Sequence, residues 1–159
     1  MRAWLALENP LLHPSMLSRA SVVRDVGGYR AGAAEDYDLW LRTQHAGART
    51  VRLFTPALAY RMHRAQVTAS AGYLVRVLDD TGLADAHTAL ATDLGWRDGA
   101  VWDVLHTEPT SADAWARKTA YWEFLRGIAS ELASSFERTA MLATIGRAWP
   151  GVSAPSAEH

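Results

Sequence analysis

Residues 35–42 read EDYDLWLR, and the helical pattern that they begin ends at Gly47. Carboxylates in the first turn of a helix interact favourably with the helix dipole, and Asp38 is spaced to pair with Arg42 one turn later. Asp36 and Trp40 have the same spacing and therefore share a face. We predict a helix here, with the carboxylate of Asp36 on the same side as a large aromatic ring.

The residues that precede this helix carry cap and turn signals. Ser21 suits an N-cap, because its hydroxyl can accept a hydrogen bond from a free amide of the first turn. Gly27 suits the left-handed residue that ends a helix. Residues 11–19 pass through His13-Pro14 and are expected to be extended. The sequence thus predicts an extended segment followed by a short helix.

Two short runs follow the helical stretch, at residues 50–54 and 57–63, on either side of Thr55-Pro56. In the second run, larger apolar residues alternate with Ala59, Arg61 and His63, which is the period of two that a strand requires. We therefore predict two strands, of which the second holds Arg61 and His63 on one face.

Beyond a linker at residues 68–72, the pattern is helical. Five residues fall on one helical face: Leu83, Ala86, His87, Leu90 and Leu94. Thr110 and Asp113 have the spacing of a capping box and are expected to open a long helix. Its apolar stripe comprises Trp115, Trp122, Leu125, Ala129, Leu132 and Phe136. Packing within the fold is the preferred interpretation of the stripe. A dimer seam and a membrane-surface helix are alternatives, the latter weakened by few cations on the opposite face.

Composition limits the function classes. The chain of 159 residues has 16 Lys and Arg against 17 Asp and Glu, so it lacks the positive charge that nucleic-acid binding requires. It contains no Cys, which excludes disulfides, thiolate metal sites and a thiol nucleophile. No apolar run approaches the roughly 20 residues of a membrane span. We expect a cytoplasmic protein, with the inner face of the membrane as the alternative location.

Three stretches, in this order, resemble one family. They are residues 9–16 (NPLLHPSM), residues 26–42 (VGGYRAGAAEDYDLWLR) and residues 60–66 (YRMHRAQ). Together they resemble the acceptor-binding half of the catalytic domain of family 2 glycosyltransferases, over about residues 5–70. The resemblance implies transfer of a sugar from a nucleotide-sugar donor to an acceptor hydroxyl, with inversion, in the synthesis of cell-surface polysaccharide or other glycans.

The same resemblance implies a fold class. We expect an α/β protein, with the C-terminal half of a family 2 catalytic domain over residues 1–70 as a partial GT-A-like α/β sandwich. A helical C-terminal extension is expected over residues 71–149. Residues 150–159 are rich in Pro and Ser, and we predict a disordered tail there.

The resemblance also implies a catalytic base. Asp36 would remove the proton from the acceptor hydroxyl, and Glu35 beside it would contact the substrate. A carboxylate at a helix start, after a flexible Ala/Gly loop, can be aimed into a cleft. The alternative is that these carboxylates only complement the helix dipole, which is worth about 0.3–1 kcal/mol each. For Asp38 we prefer that alternative, together with an exposed ion pair to Arg42.

Further site residues follow from the resemblance. His63 matches a position near a divalent metal, Mn²⁺ or Mg²⁺, and the diphosphate, and imidazole suits such a site. A strand-end His bonded to backbone or water is the alternative. Arg61, on the same face, would meet phosphate or a carboxylate. His13 and Ser15 match the acceptor side, with a local structural role as the alternative for His13. Trp40 would shape the acceptor pocket, although core packing alone also accounts for it.

One expected element of the family is missing. Asp36-Tyr37-Asp38 satisfies the Asp-any-Asp pattern that holds the metal in GT-A enzymes, but there the motif ends an apolar strand, whereas here it starts a helix. The chain has no other such triplet. We therefore expect an enzyme part that is inactive alone and whose nucleotide-sugar-binding half lies upstream or in a separate chain. A non-catalytic acceptor-binding or assembly module is the alternative.

The partners expected from this interpretation are of four kinds. The substrates would be a nucleotide-sugar donor and a glycan or lipid-linked acceptor. The missing N-terminal half, or a partner chain that replaces it, would complete the enzyme. Self-association and peripheral membrane association are the remaining two, because a half-domain leaves apolar surface uncovered. Nucleic acid is not an expected partner.

The purified chain is expected to bind common nucleotide sugars weakly and to transfer no sugar, because it lacks the motif that would hold the metal and the diphosphate. Calorimetric titration with nucleotide sugars and Mn²⁺ measures this. Micromolar binding, which corresponds to about −8 kcal/mol, would contradict the absence of a donor site.

Overall fold

The residues described by the structure, a computed structural model, are 1–53, 55–56, 58–61, 63 and 66–149. The chain divides into two compact units, Met1–Gly95 and Trp96–His159. Across the described ranges every regular element is a helix, and none of these helices is long and apolar enough to cross a membrane.

The predicted α/β sandwich is therefore wrong. In the part of the chain that the structure describes, the runs at 50–54 and 57–63 form no strand. Phe54, Ala57 and Met62 of these runs lie outside the described residues. A strand is stable only when a neighbour pairs with its backbone and covers one face. Val51 and Leu53 are 74% and 77% exposed, so the alternating pattern has no surface on which to pack.

The first unit contains five α-helices and two 3₁₀ turns among its described residues. The helices are α1 (Arg2–Leu5), α2 (Ala20–Asp25), α3 (Glu35–His45), α4 (Tyr73–Leu78) and α5 (Thr81–Asp93). The turns are His13–Ser15 and Val67–Ala69. Helix α3 packs mainly against α5 and also contacts α1 and α2. It is therefore the central element of this unit.

The core of the first unit is built on α3. Leu39 and Leu41 of this helix are fully buried, as are Leu83 and Leu90 of α5 and Leu5 of α1. The predicted apolar face of α5 is confirmed for four of its members, which are buried: Leu83, Ala86, His87 and Leu90. Polar contacts add to the apolar packing. The hydroxyl of Tyr37 donates to the Leu5 carbonyl at 2.7 Å, and His87 Nε2 lies 3.1 Å from the Ala6 carbonyl oxygen.

The predicted helix at residues 35–42 is confirmed, and so is its end. Gly47 has φ +84°, a left-handed conformation, and its amide donates to the Gln44 carbonyl at 3.1 Å. Gly27 likewise has φ +82° after α2. The predicted cap of α2 is wrong, because the helix begins at Ala20 with Arg19 as its N-cap and Ser21 lies inside it. The position of Gly27 thus predicted the end of α2 correctly, whereas the hydroxyl of Ser21 did not predict its start.

The side chain of Asp80 lies close to the loop before α3. It caps α5 by accepting from the Leu83 amide at 3.0 Å. A Cβ at position 32 would overlap Asp80 Oδ2, so a larger residue than Gly32 would require this carboxylate to shift.

The second unit contains α6 (Trp102–His106), α7 (Ala112–Ser130) and α8 (Ser135–Ala148). Helix α7 packs on both α6 and α8. Trp122, Leu125 and Ala129 of α7 are buried, as are Met141 and Ile145 of α8. Trp149 stacks on Trp122, with ring centroids 5.9 Å apart. The apolar stripe of α7 therefore packs within its own unit, as we preferred.

Two details of the α7 prediction are wrong. The N-cap is Ser111, whose Oγ accepts from the Ala114 amide at 3.1 Å, and not Thr110. The stripe does not continue to Phe136, which belongs to α8 and is 69% exposed. Helix α7 ends at Ser130, and Ser134 caps α8 by accepting from the Glu137 amide at 3.3 Å. The predicted disordered tail, residues 150–159, lies outside the described residues.

Asp38 is the electrostatic centre of the first unit. It is 4% exposed and accepts hydrogen bonds from Arg30 Nε at 3.0 Å and from Arg42 Nε and Nη2 at 2.9 and 2.6 Å. Arg30 Nη2 also donates to the second carboxylate oxygen of Asp38 and to the Gly82 carbonyl. Arg42 donates to the carbonyls of Val26 and Gly28 at 2.5 and 2.7 Å. The predicted pair with Arg42 forms, but the prediction that it is exposed is wrong.

The pKa of Asp38 reflects this environment. Burial by itself would raise the pKa, but the hydrogen bonds and charges of Arg30 and Arg42 outweigh it and hold the pKa below its usual value. A lowered pKa means that the folded state favours the ionised carboxylate. Its contribution to stability is therefore fully present above the unfolded pKa of about 3.9 and is lost as pH falls through the folded value.

Asp38→Asn is expected to lower the free energy of unfolding by roughly 1.5–3 kcal/mol at neutral pH, because it removes charge-assisted hydrogen bonds to two guanidinium groups. Urea denaturation at pH 7 measures the loss. The difference from the wild type should shrink below about pH 4, where the unfolded-state aspartate becomes protonated. A difference that stays constant down to pH 3 would contradict the ionised pair as its source.

Candidate functional site

A pocket of about 420 Å³ opens beside α3. Its wall combines three aromatic rings with apolar side chains and two hydroxyls. The lining residues are His13, Pro14, Met16, Ser18, Val23, Tyr29 and Trp40. Its volume lies at the small end of the range of ligand pockets, about 300–1,000 Å³.

Local structure positions the three rings. His13 lies in the 3₁₀ turn His13–Ser15, whose first positions contain Pro14. Tyr29 follows Gly27 and Gly28, which both have positive φ and redirect the chain after α2. His13 Nε2 lies 2.8 Å from the Tyr29 hydroxyl. The His13 ring meets the Trp40 ring edge-on, with centroids 6.0 Å apart. The rings thus form one cluster at the pocket wall.

Trp40 contributes both packing and a polar group. The residue is 5% exposed, which agrees with the core role that we weighed for it, and it also lines the pocket. Its Nε1–H is buried and has no hydrogen-bond partner among the described residues. Buried N–H groups are nearly always paired, and an unpaired one costs about 1–3 kcal/mol. The indole N–H is therefore an unpaired polar group within the core of the first unit.

Asp36 and Glu35 lie in the first turn of α3 and are half-buried. Asp36 Oδ1 accepts from the Tyr37 amide at 2.7 Å. No ion pair joins Asp36 to a cation within the described ranges, in contrast to Asp38. Asp36 is one helical turn before Trp40, on the same face. The two neighbouring carboxylates of α3 thus have different environments.

Tyr73, at the start of α4, lies within electrostatic reach of the first turn of α3, which the sequence did not indicate. Burial, and then the charges of Asp36 and Glu35, raise its pKa above the usual value. The phenol therefore stays protonated and remains a hydrogen-bond donor in the field of these carboxylates. Nothing in the sequence could have singled it out, because Tyr73 lies outside the stretch of resemblance and only the fold brings α4 near α3.

The other predicted site residues, Ser15, Arg61 and His63, do not line the pocket. Ser15 does not line the pocket, because its Oγ donates to the Leu12 carbonyl at 2.7 Å within the 3₁₀ turn, and Ser18 lines the pocket instead. Arg61 and His63 are exposed and outside the pocket wall. The His63 amide lies 3.4 Å from Gln66 Oε1, a local contact. Arg64 and Ala65 of the third motif lie outside the described residues.

His63 does not belong to a metal cluster in the part of the chain that the structure describes. No group of three or more His, Asp or Glu side chains there could hold an ion. The donor set that a Mn²⁺ or Mg²⁺ ion requires is therefore not assembled by these residues. The metal stays a prediction for the complete enzyme.

Asp36→Asn is expected to change the free energy of unfolding by less than about 1 kcal/mol, because only its helix-dipole interaction is lost. The same urea measurement as for Asp38→Asn applies, and the two substitutions are matched in chemistry and in helical turn. Equal losses for both variants would mean that Asp36 is also a structural charge.

Comparison with known proteins adds no neighbour. No protein-family model, curated protein or solved structure matches this chain. What the site can do is therefore inferred from its residues and their geometry.

Proposed function

We propose that this chain supplies the acceptor side of an inverting sugar transfer. The pocket beside α3 holds the acceptor, and Asp36 acts as the general base. The observation that carries the proposal is the contrast between the two carboxylates of α3. Asp38 is buried between two guanidinium groups, whereas Asp36 has no cationic partner within the described ranges and lies one turn from the pocket wall.

The contrast matters because a general base needs an accessible lone pair. Both oxygens of Asp38 accept hydrogen bonds from Arg30 or Arg42, and its lowered pKa makes it a weak proton acceptor. Asp36 is half-buried and uses Oδ1 for a backbone amide. Its remaining oxygen is the better candidate to receive a proton from a hydroxyl at hydrogen-bond distance.

The proposed reaction is a single displacement. The acceptor oxygen attacks the anomeric carbon of the donor while Asp36 takes its proton. The bond between that carbon and the nucleoside diphosphate breaks, and the electron pair leaves with the diphosphate. Attack opposite to the leaving group inverts the configuration. One carboxylate is enough for this chemistry, because no covalent intermediate forms on the protein.

We propose that the nucleotide-sugar donor is bound by residues other than those that the structure describes. The sequence lacks an Asp-any-Asp triplet at a strand end. Several large apolar side chains of the first unit are uncovered: Leu17 is 98% exposed, and Val51 and Leu53 are 74% and 77% exposed. A donor-binding half that covers them would complete the enzyme.

The proposal is tested when a donor-binding half is restored by fusion or co-expression and sugar transfer is measured. Asp36→Asn should keep the fold and reduce the transfer rate by about 10²–10⁴-fold, the usual contribution of a general base. Asp113→Asn is the matched control, since Asp113 is an exposed carboxylate in the first turn of α7. It should leave the rate unchanged.

Two results would count against the proposal. Full transfer activity in Asp36→Asn would show that the base lies elsewhere. Acceptor binding by the chain without sugar transfer in any restored form would favour the non-catalytic acceptor-binding module.

A further inference from the structure

Charge is distributed unevenly along the sequence. Residues 46–78 contain five Arg and no Asp or Glu, although the whole chain has a net charge of −1. The carboxylates that flank this segment in sequence are Asp38 and Asp79. Asp38 is buried between two guanidinium groups and is therefore already neutralised. Segment 46–78 is thus cationic, and it contains no carboxylate that offsets its charge.

The same segment carries many uncovered apolar side chains. Seven large apolar residues are exposed among its described residues, compared with five in the rest of the described chain. The seven are Val51, Leu53, Leu58, Tyr60, Val67, Leu74 and Val75. Val51 and Leu53 are assigned above to a donor-binding half. The other five are exposed residues of a segment that is also cationic.

Residues 66–78 form a series of turns that leads into α4. Four backbone amides each donate to the carbonyl three residues earlier, at 3.0–3.2 Å: those of Gln66, Ala69, Ser70 and Tyr73. Arg76 Nη2 also donates to Ser70 Oγ at 3.2 Å. The turn Val67–Ala69 contacts α4, so Val67 stays close to this helix. Local hydrogen bonds thus hold the exposed apolar residues of this element near Arg76.

Helix α4 has apolar residues both towards its unit and in solvent. Tyr73, Val77 and Leu78 are half-buried, whereas Leu74 and Val75 are 65% and 58% exposed. Arg76 is the only charged residue of the helix. A surface helix normally has polar residues on its outer side, and one that is apolar all round is typical of a buried or membrane environment. Helix α4 therefore lacks the polar outer side expected in water.

An anionic lipid bilayer matches cations that alternate with apolar side chains. Guanidinium groups contact lipid phosphates, while apolar neighbours enter the boundary of the acyl chains. Arg61 follows Tyr60, and Arg76 follows Val75, and all four are exposed. A nucleic acid or an acidic peptide would neutralise the arginines but leave Leu74 and Val75 in water. A second copy that pairs the same surfaces would bring two cationic segments together, which is unfavourable.

We propose that the first unit docks on an anionic lipid bilayer through a lipid-docking surface. This surface comprises Tyr60, Arg61, Val67, Leu74, Val75 and Arg76. The arginines bind lipid phosphate, and the apolar side chains enter the bilayer interface. The proposal does not rest on the proposed function, because a chain that transfers no sugar would bind the bilayer equally well.

The test is co-sedimentation of the whole chain with large vesicles. Phosphatidylcholine vesicles with about one quarter phosphatidylglycerol should bind the chain at least about tenfold more tightly than pure phosphatidylcholine vesicles. Each arginine near an anionic surface contributes about fivefold to binding. Raising the NaCl concentration from about 0.1 M to about 0.5 M should weaken binding, because salt screens these interactions.

Two double variants separate charge from apolar contact. Arg61→Ala with Arg76→Ala should weaken binding to the anionic vesicles roughly 25-fold. Leu74→Ser with Val75→Ser leaves the charge unchanged and should weaken binding at least about tenfold, because apolar surface no longer enters the bilayer. All four side chains are exposed, so neither variant removes a core contact.

The controls are matched in residue type and exposure. Arg19→Ala with Arg24→Ala removes two exposed arginines outside the segment. Leu12→Ser with Leu17→Ser removes two exposed leucines outside it. Both control variants should bind the anionic vesicles as the wild type does.

Four outcomes would overturn the inference. The first is that the chain binds neither kind of vesicle, or binds both equally. The second is that a control variant loses as much binding as its counterpart. The third is that the Leu74 and Val75 variant keeps full binding and single-stranded RNA binds as tightly as the vesicles, which would make the surface a site for polyanions. The fourth is a dimer, detected by light scattering without lipid, that the Leu74 and Val75 variant dissociates, which would assign the surface to a second copy.

Discussion

The carboxylate of Asp38 lies between the guanidinium groups of Arg30 and Arg42, and the arrangement of the first unit depends on this cluster. Arg42 uses its other donors for the carbonyls of Val26 and Gly28, while Arg30 reaches the carbonyl of Gly82. One buried anion thus connects the end of α2, the loop before α3, α3 itself and the start of α5. Burial of that anion would be unfavourable alone, and the two cations compensate for it. The loop that carries Tyr29 is held in place as a consequence.

The cluster also distinguishes Asp38 from Asp36, the carboxylate that we propose as the base. Asp36 and Asp38 point to different sides of α3, because adjacent positions on a helix diverge by about 100° per residue. Asp38 faces the cations, and its lowered pKa keeps it ionised and occupied. Asp36 shares the side of Trp40 and lies in the electrostatic surroundings of Tyr73. A structural carboxylate and a candidate base can therefore occupy the same helical turn without competing for the same partners.

The failed strand prediction and the exposed apolar residues have one physical cause. An alternating pattern such as that of residues 57–63 indicates which side chains would share one face of a strand. It does not indicate whether another strand is present to pair with the backbone of this segment. The segment around Val51 and Leu53 finds no such neighbour within the described part of the chain. Helices differ in this respect, because their backbone hydrogen bonds are internal, and α3 forms where the sequence predicted it.

Local periodicity and glycine positions by themselves determined α3, its end at Gly47, the buried face of α5, and the shared side of Asp36 and Trp40. These features depend on residues within a few turns of one another. Tertiary structure alone decided that Asp38 is buried and that His13 meets Tyr29 and Trp40 beside a pocket. It also decided that Tyr73 lies in the electrostatic field of Asp36. The hydroxyl of Ser15 bonds within its own 3₁₀ turn, which the sequence did not specify. Each of these depends on which distant segments meet. Neither the spacing nor the composition of a chain specifies the burial, charge and unpaired donors that arise at such meeting points.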